Sequence, residues 1–415
     1  MKHILLPLLL LLTPVGSWGQ PASTSTAIDG SWKGTLKLGQ AQLTIVFNID
    51  AGSREVKMDV PEQGAKAIPM EVGYLSADSV SLSCRAIGMS YQGHLVDGAI
   101  EGTFQQGALQ RPLTFEKGTV EQRRPQTPAA PYPYATKEVT FKNAKADVTL
   151  SGTLTYPVDF KAGECPVVLM VTGSGAQNRD EEIMGHKPFL VLADFLARNG
   201  IASLRYDDRG TNQSTGDFTA ATTIDFADDA AAGLEWLRKT KEFSSVGILG
   251  HSEGGLIAYV LGSRQLPDFI VSLAGVACPV DTLMMQQLNG IAKVQGAPQN
   301  VVSTVQQART MLLSMDKKPW MKAFLDLPVV DYVAATACPV FAASGEKDLN
   351  VPPSLTMQYL NRYLPKNKHN LLKVYPGLNH TFQHAATGNP LEIANIEETF
   401  AEEVMRDIVA WIKGL

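Results

Sequence analysis

Between Ile28 and Val120 apolar and polar residues alternate in short runs, such as Gln42–Phe47 and Ser79–Leu82, broken by turn residues. A period of two puts alternate side chains on opposite faces of a strand, so this stretch predicts a β-rich module. Gly30, Gly34, Gly73, Gly93 and Gly102, with Trp32 among them, suit the tight corners of a small antiparallel barrel or sandwich. From Pro166 the pattern changes: the continuous apolar run Pro166–Val171 predicts a strand buried on both faces, and Phe189–Asn199 has helical spacing. The alternation continues through strands at Ile201–Tyr206, Val246–Leu249, Phe269–Ala274, Val340–Ser344 and Leu371–Tyr375. Helices are expected at Ile224–Lys239, Gly254–Ser263 and Ile396–Lys413. Strands alternating with helices imply a doubly wound, mostly parallel sheet, an α/β architecture. Before it, Glu138–Phe141 and Val148–Tyr156 read as an antiparallel entry hairpin.

Two segments interrupt this rhythm. Residues 122–135 are rich in proline and polar residues and read as a semi-rigid linker between a β-rich domain (20–121) and a catalytic domain (136–415). Residues 281–335, rich in Met, Gln, Leu and Val at helical spacing, read as a helical cap insertion that shapes a pocket and excludes water. The competing reading packs these helices at the edge of the sheet.

Residues 1–19 predict a secretory signal peptide: Lys2 precedes the apolar run Ile4–Leu12, and Pro14, Ser17 and Gly19 follow it. That run is shorter than the roughly 20 residues that span a bilayer, and no cysteine follows it to carry a lipid, so we expect an exported periplasmic or extracellular protein without stable membrane insertion. Removing Lys2 with the leader takes the formal charge of the 415-residue chain from −5 to −6. This mildly acidic balance, without long basic runs, makes nucleic acid an unexpected partner. Composition adds little: 45% hydrophobic and 19% charged residues suit a packed interior and exclude a mostly disordered chain. Cys84, Cys165, Cys278 and Cys338 lack CxxC pairing, which leaves buried thiols or one disulfide as alternatives.

The candidate chemistry lies where predicted strands end. Gly250-His251-Ser252-Glu253-Gly254-Gly255 follows the strand Val246–Leu249 and opens a helix. A sharp strand-to-helix turn exposes a serine hydroxyl that needs a base to become nucleophilic, and small residues at Gly250 and Gly254 let the backbone double back. Gly345-Glu346-Lys347-Asp348 and Gly377-Leu378-Asn379-His380 follow two later strands. Asp348 is therefore the expected acid, ahead of Glu346 and Asp331, and His380 the expected base, ahead of His251, His369 and His384. These rival histidines are read as structural or solvent-facing. The loop Thr172-Gly173-Ser174-Gly175-Ala176 suits an oxyanion hole built from the backbone N–H groups of Ser174 and Glu253, with weakly constrained side chains. The charged clusters Asn178-Arg179-Asp180 and Tyr206-Asp207-Asp208-Arg209-Gly210 suit loop-fixing ion pairs, or an arginine for a substrate carboxylate. No metal-ligand spacing or phosphate-cradling motif implies a cofactor, and no substrate-binding residue stands out.

On these motifs the stretch Glu138–Leu415 resembles the α/β-hydrolase superfamily, more narrowly the bacterial esterases with a prolyl-oligopeptidase-like hydrolase domain. The resemblance implies a serine hydrolase with Ser252, Asp348 and His380 as nucleophile, acid and base, and carboxylesterase activity on small or medium acyl esters. Thr172 departs from the family, where many members carry His before the oxyanion glycine. The family's peptidases carry a large β-propeller, for which the region before Arg123 is too short. Alternatives on the same triad are an aminopeptidase and an acyltransferase. A glycan- or lipid-binding protein with a relic hydrolase domain is the alternative from another class. Oligomeric state is not legible.

Overall fold

The computed structural model describes residues 27–38 and 41–415, so the leader at 1–19 lies outside the described residues. The chain divides into two compact units, the first ending at Glu121 and the second running Gln122–Leu415.

In the first unit, β1 (Gly30–Leu38), β2 (Ala41–Asp50), β3 (Glu55–Val60), β4 (Ala65–Leu75), β5 (Ser79–Cys84), β6 (Met89–Val96), β7 (Ala99–Gln106) and β8 (Leu109–Lys117) form an antiparallel meander. It closes into a barrel where β1 meets β8. Alternation decides which side chains face in: Trp32, Phe47, Tyr91, Ile100 and Phe115 are fully buried. The Phe47 and Phe115 rings stack at 4.6 Å. The Tyr91 hydroxyl donates to the Ile100 and Leu113 carbonyls at 3.1 and 3.0 Å, so its polar tip is satisfied. Gly102 is required by close approach, since a β-carbon there would collide with the Gln92 carbonyl and the Tyr91 ring.

The second unit is built on β9 (Thr136–Asn143), β10 (Val148–Thr155), β11 (Val167–Val171), β12 (Ala202–Tyr206), β13 (Val246–His251), β14 (Ile270–Leu273), β15 (Val340–Gly345) and β16 (Leu371–Tyr375). Their order across the sheet is β9-β10-β12-β11-β13-β14-β15-β16. β10 is antiparallel to both neighbours, and from β12 to β16 every pairing is parallel. Helices cover both faces, as the double apolar alternation of the strands demands. Val168 and Met170 point into a core shared with α1 (Pro188–Arg198) and α9 (Glu402–Lys413). Val167, Leu169 and Val171 point into the opposite core, shared with α2 (Thr223–Thr240), α3 (Glu253–Ser263) and, later in the chain, α8 (Pro353–Tyr363). Thr222 and Asp225 cap α2 reciprocally.

Three expectations need correction. The closing helix begins at Glu402, not Ile396, because residues 396–401 run as an irregular segment. The stretch 281–335 contains α4 (Val280–Val294), α5 (Val305–Met315), α6 (Pro319–Leu325) and α7 (Val329–Ala334), but α7 packs against α3 and α8 in the layer beneath the sheet. Residues 122–135, expected as a semi-rigid linker between the domains, belong to the second unit, into which Arg124 and Gln126 are bonded. The four cysteines carry free thiols. Among the described residues, no helix is long and apolar enough to cross a membrane.

Candidate active site

β13 ends at His251, and the next residue turns sharply: Ser252 has φ 55° and ψ −115° before α3 begins at Glu253. A side chain with a β-carbon rarely adopts positive φ, so this is a strained position held by its surroundings. The turn closes only because its flanks lack side chains. A β-carbon on Gly250 would collide with the Gly254 backbone, and one on Gly254 with the carbonyl oxygens of Val171 and Thr172.

The loops after β15 and β16 meet beside this turn. Asp348 is buried, and its Oδ1 accepts the N–H groups of Asn350 and Val351, both at 2.8 Å. Its Oδ2 lies 2.8 Å from His380 Nδ1, the geometry that fixes the imidazole's orientation. The Asn379 side chain accepts the N–H groups of Thr381 and Gln383 at 3.1 and 2.9 Å, which fixes the loop carrying His380. Ser252 and His380 line one cavity of about 310 Å³. The rival acids stand elsewhere: Glu346 accepts the Gly377 N–H on the surface, and Asp331 is exposed on α7. His384 pairs with Glu398 and Glu403 in solvent, and the His369 carbonyl receives the Trp411 indole N–H.

His251 is buried between two acceptors. Its Nδ1 is 2.9 Å from Glu181 Oε1, and its Nε2 is 3.0 Å from the His380 carbonyl oxygen. A carboxylate and a carbonyl only accept, so both ring nitrogens carry hydrogen and the ring is an imidazolium. Burial opposes that charge, but the Glu181 carboxylate, the hydrogen bonds to Glu181 and the His380 carbonyl, and the Asp348 charge push the imidazole up to about 9. Glu181 also accepts the Gly173 N–H at 2.7 Å, tying the loop after β11 to the same charge pair.

The N–H groups of Ser174 and Glu253 donate to no group among the described residues. Their side chains, however, are not weakly constrained. The buried Glu253 carboxylate accepts from Ser174 Oγ at 2.7 Å, Thr223 Oγ1 at 2.6 Å and Trp320 Nε1 at 2.8 Å. Burial pushes this carboxyl above its ordinary value, against the pull of those three donors. One side chain thus fastens the glycine loop, α2 and α6 to the serine turn.

The charged clusters fix loops. Arg179 forks onto Asp207 at 2.8 Å and reaches Glu138 at 2.5 Å. Arg205 pairs with Asp180, and Arg209 with Asp229 at 2.6 Å. Thr172 donates to the buried Asp208, whose carboxyl burial pushes well up. None of these arginines lines the cavity.

Sequence reasoning missed Glu181, Thr223 and Trp320. Glu181 sits in the run Asp180-Glu181-Glu182, which reads as a solvated face, and Thr223 reads as an ordinary first-turn residue. The lone Trp320 after Pro319 carried a signal: a tryptophan has a polar tip that needs an acceptor once buried.

Comparison with known proteins agrees with the motifs. Residues 146–325 match the model of the X-Pro dipeptidyl-peptidase (S15) family. Esterase EstD from Thermotoga maritima is 27% identical over 199 residues, which are 48% of this chain and 45% of that protein. The chain therefore spans about half the length of that curated relative. Among solved structures, the ferulic acid complex of Est1E from Butyrivibrio proteoclasticus aligns at 19% identity. That alignment covers 66% of this chain and 99% of that one, with a TM-score of 0.46. The Pyrococcus furiosus esterase Pf2001 aligns at 18% identity over 72% of this chain and 99% of that one, with a TM-score of 0.46. The family model and the curated esterase bear out the resemblance to the α/β-hydrolase superfamily and support a serine hydrolase.

Proposed function

We propose that the protein is a carboxylesterase that cleaves small or medium acyl esters through an acyl-enzyme on Ser252. The observation that carries this reading is the His380 imidazole, bonded to the buried Asp348 and lining the same cavity as the strained Ser252. In this mechanism His380 takes the Ser252 proton as the hydroxyl oxygen attacks the ester carbonyl carbon, and Asp348 stabilises the imidazolium. The Glu253 and Ser174 N–H groups hold the developing oxyanion. The tetrahedral intermediate collapses with His380 protonating the departing alcohol, and water then repeats the cycle on the acyl group. No step calls for a cofactor. In this reading helices α4 and α6, whose Leu283, Met284, Trp320 and Phe324 line the cavity, serve as the cap that keeps bulk water from the bound ester. Export to the periplasm or beyond, without membrane insertion, is part of the proposal.

The X-Pro dipeptidyl-peptidase family match favours a second reading, peptide cleavage on the same residues. The cavity's chemistry favours esters. An aminopeptidase needs an available carboxylate for the substrate's ammonium group, and the one carboxylate among the lining residues, Glu181, already serves His251 and Gly173. Among the described residues no Lys or Arg lines the cavity, the His251 imidazolium that does is paired with Glu181, and the apolar walls suit an uncharged acyl or aryl group. The test is hydrolysis of p-nitrophenyl esters of graded acyl length beside X-Pro p-nitroanilides, with fluorophosphonate labelling. Ester turnover should dominate, and Ser252→Ala should lower it on the order of 10⁴-fold or more. Anilide turnover above ester turnover would overturn the esterase reading, and an unlabelled Ser252 would favour a relic domain.

A further inference from the structure

Two walls of the cavity are built outside the sheet, one from loop and the other from the short 3-10 helix Pro390–Asn395 and the chain after it. Ile183 and Met184 supply one, and Pro390, Ile393 and Phe400 supply the other. Segments without a strand ladder or a long helix leave many backbone groups to be satisfied by side chains. Here several of those side chains come from the proline-rich segment that begins the second unit. Arg124 Nη2 donates to the Met184 and Ala394 carbonyls, both at 2.8 Å, and its Nη1 donates to the Ile396 carbonyl at 3.2 Å. Gln126 accepts the N–H groups of Thr399 and Phe400 at 2.5 and 2.9 Å and donates to the Phe400 carbonyl at 2.8 Å. The His186 ring, 2.9 Å from both Thr399 Oγ1 and the Ile393 carbonyl, bridges the walls from inside.

We propose that Arg124 and Gln126 are specificity-setting positioning residues: they staple the Met184 and Ile393–Phe400 walls, which receive the longer substituent of the ester. The guanidinium spans both walls at once because its planar fork offers several donors, which one ammonium point charge does not match. Neither residue lines the cavity or stands beside Ser252, so neither takes part in proton transfer. A short acyl group stays near Ser252 and ignores the walls. A long one is held by Met184, Ile393 and Phe400, and its binding weakens when they drift.

This inference rests on the ester-hydrolysis reading, and its test separates the two. In the full chain, Arg124→Ala and Gln126→Ala are compared with the parent on p-nitrophenyl acetate and p-nitrophenyl octanoate, with fluorophosphonate labelling as a check on the serine turn. Each variant should raise KM for the octanoate by about fivefold or more, with kcat and the acetate constants within about twofold of the parent. Gln126→Ala leaves the guanidinium in place and reports on the staple if Arg124→Ala does not fold. Equal changes on both esters, or none on either, would overturn the staple. A parent chain inert to both esters and to the probe would sink the esterase reading itself.

Discussion

The buried His251 imidazolium gives the most direct test of the site's electrostatics. The folded protein holds a proton on this ring up to about pH 9, whereas a free imidazole releases it near 6.5. Below 6.5 both states are protonated and the pair with Glu181 contributes fully to stability. Between about 6.5 and 9 the unfolded chain sheds the proton first, so stability falls as pH rises; above about 9 the contribution is gone. The interval corresponds to about 3 kcal/mol. A neutral ring has one N–H, so it cannot serve both Glu181 and the His380 carbonyl, and the lost bond is the physical form of that cost. His251→Gln removes this titration. Urea unfolding of the parent and the variant from about pH 6 to about pH 10 should show the parent's advantage shrinking by about 3 kcal/mol. A stability difference that stays constant across the range would refute the charged assignment, because groups common to both proteins cancel in the comparison.

Other measurements bear on the remaining contacts. Glu253→Ala leaves the Trp320 indole N–H and two hydroxyls without their acceptor and should cost roughly 2–4 kcal/mol, whereas Glu253→Gln keeps an oxygen acceptor and should stay within about 1 kcal/mol. Equal melting temperatures for the two variants would dissolve the anchor. Gly254→Ala meets backbone oxygens that cannot retreat and should cost about 2–3 kcal/mol or more, while the same change at the exposed Gly414 should be nearly silent in thermal melts. On the acid side, burial and the Arg124 charge outweigh the Ile393 carbonyl and push His186 down to about 4. Stability should therefore fall as pH drops from about 6.5 to 4, and His186→Gln should flatten that slope by up to about 3 kcal/mol in urea titrations.

Much of the fold is legible in sequence because strands and helices are local. The run Val167–Val171 is apolar at every position because both faces of β11 are buried, and that density marks a central parallel strand before any neighbour is known. The serine turn is legible for the same reason: Gly250, Ser252 and Gly254 collide or fit within a few residues of one another, apart from the contact of Gly254 with Val171 and Thr172. The end of the chain reads less well. The apolar spacing from Ile396 suggests helix, but Thr399 and Phe400 give their N–H groups to Gln126, far away in sequence, and the helix waits until Glu402.

What only the tertiary structure decides is which distant groups share a proton or a carbonyl. The Ser252 turn, the succession of strands along the chain and the candidate acid and base follow from spacing and chain order. That Glu181 charges His251, that Glu253 gathers Ser174, Thr223 and Trp320, and that Arg124 holds Met184 to Ala394 does not. A hydrogen bond needs its partners within about 3 Å, and periodicity fixes the face on which a residue lies without fixing which loop of another strand arrives opposite it. Those meetings are set when the sheet assembles in its particular order and the loops at its carboxyl edge converge.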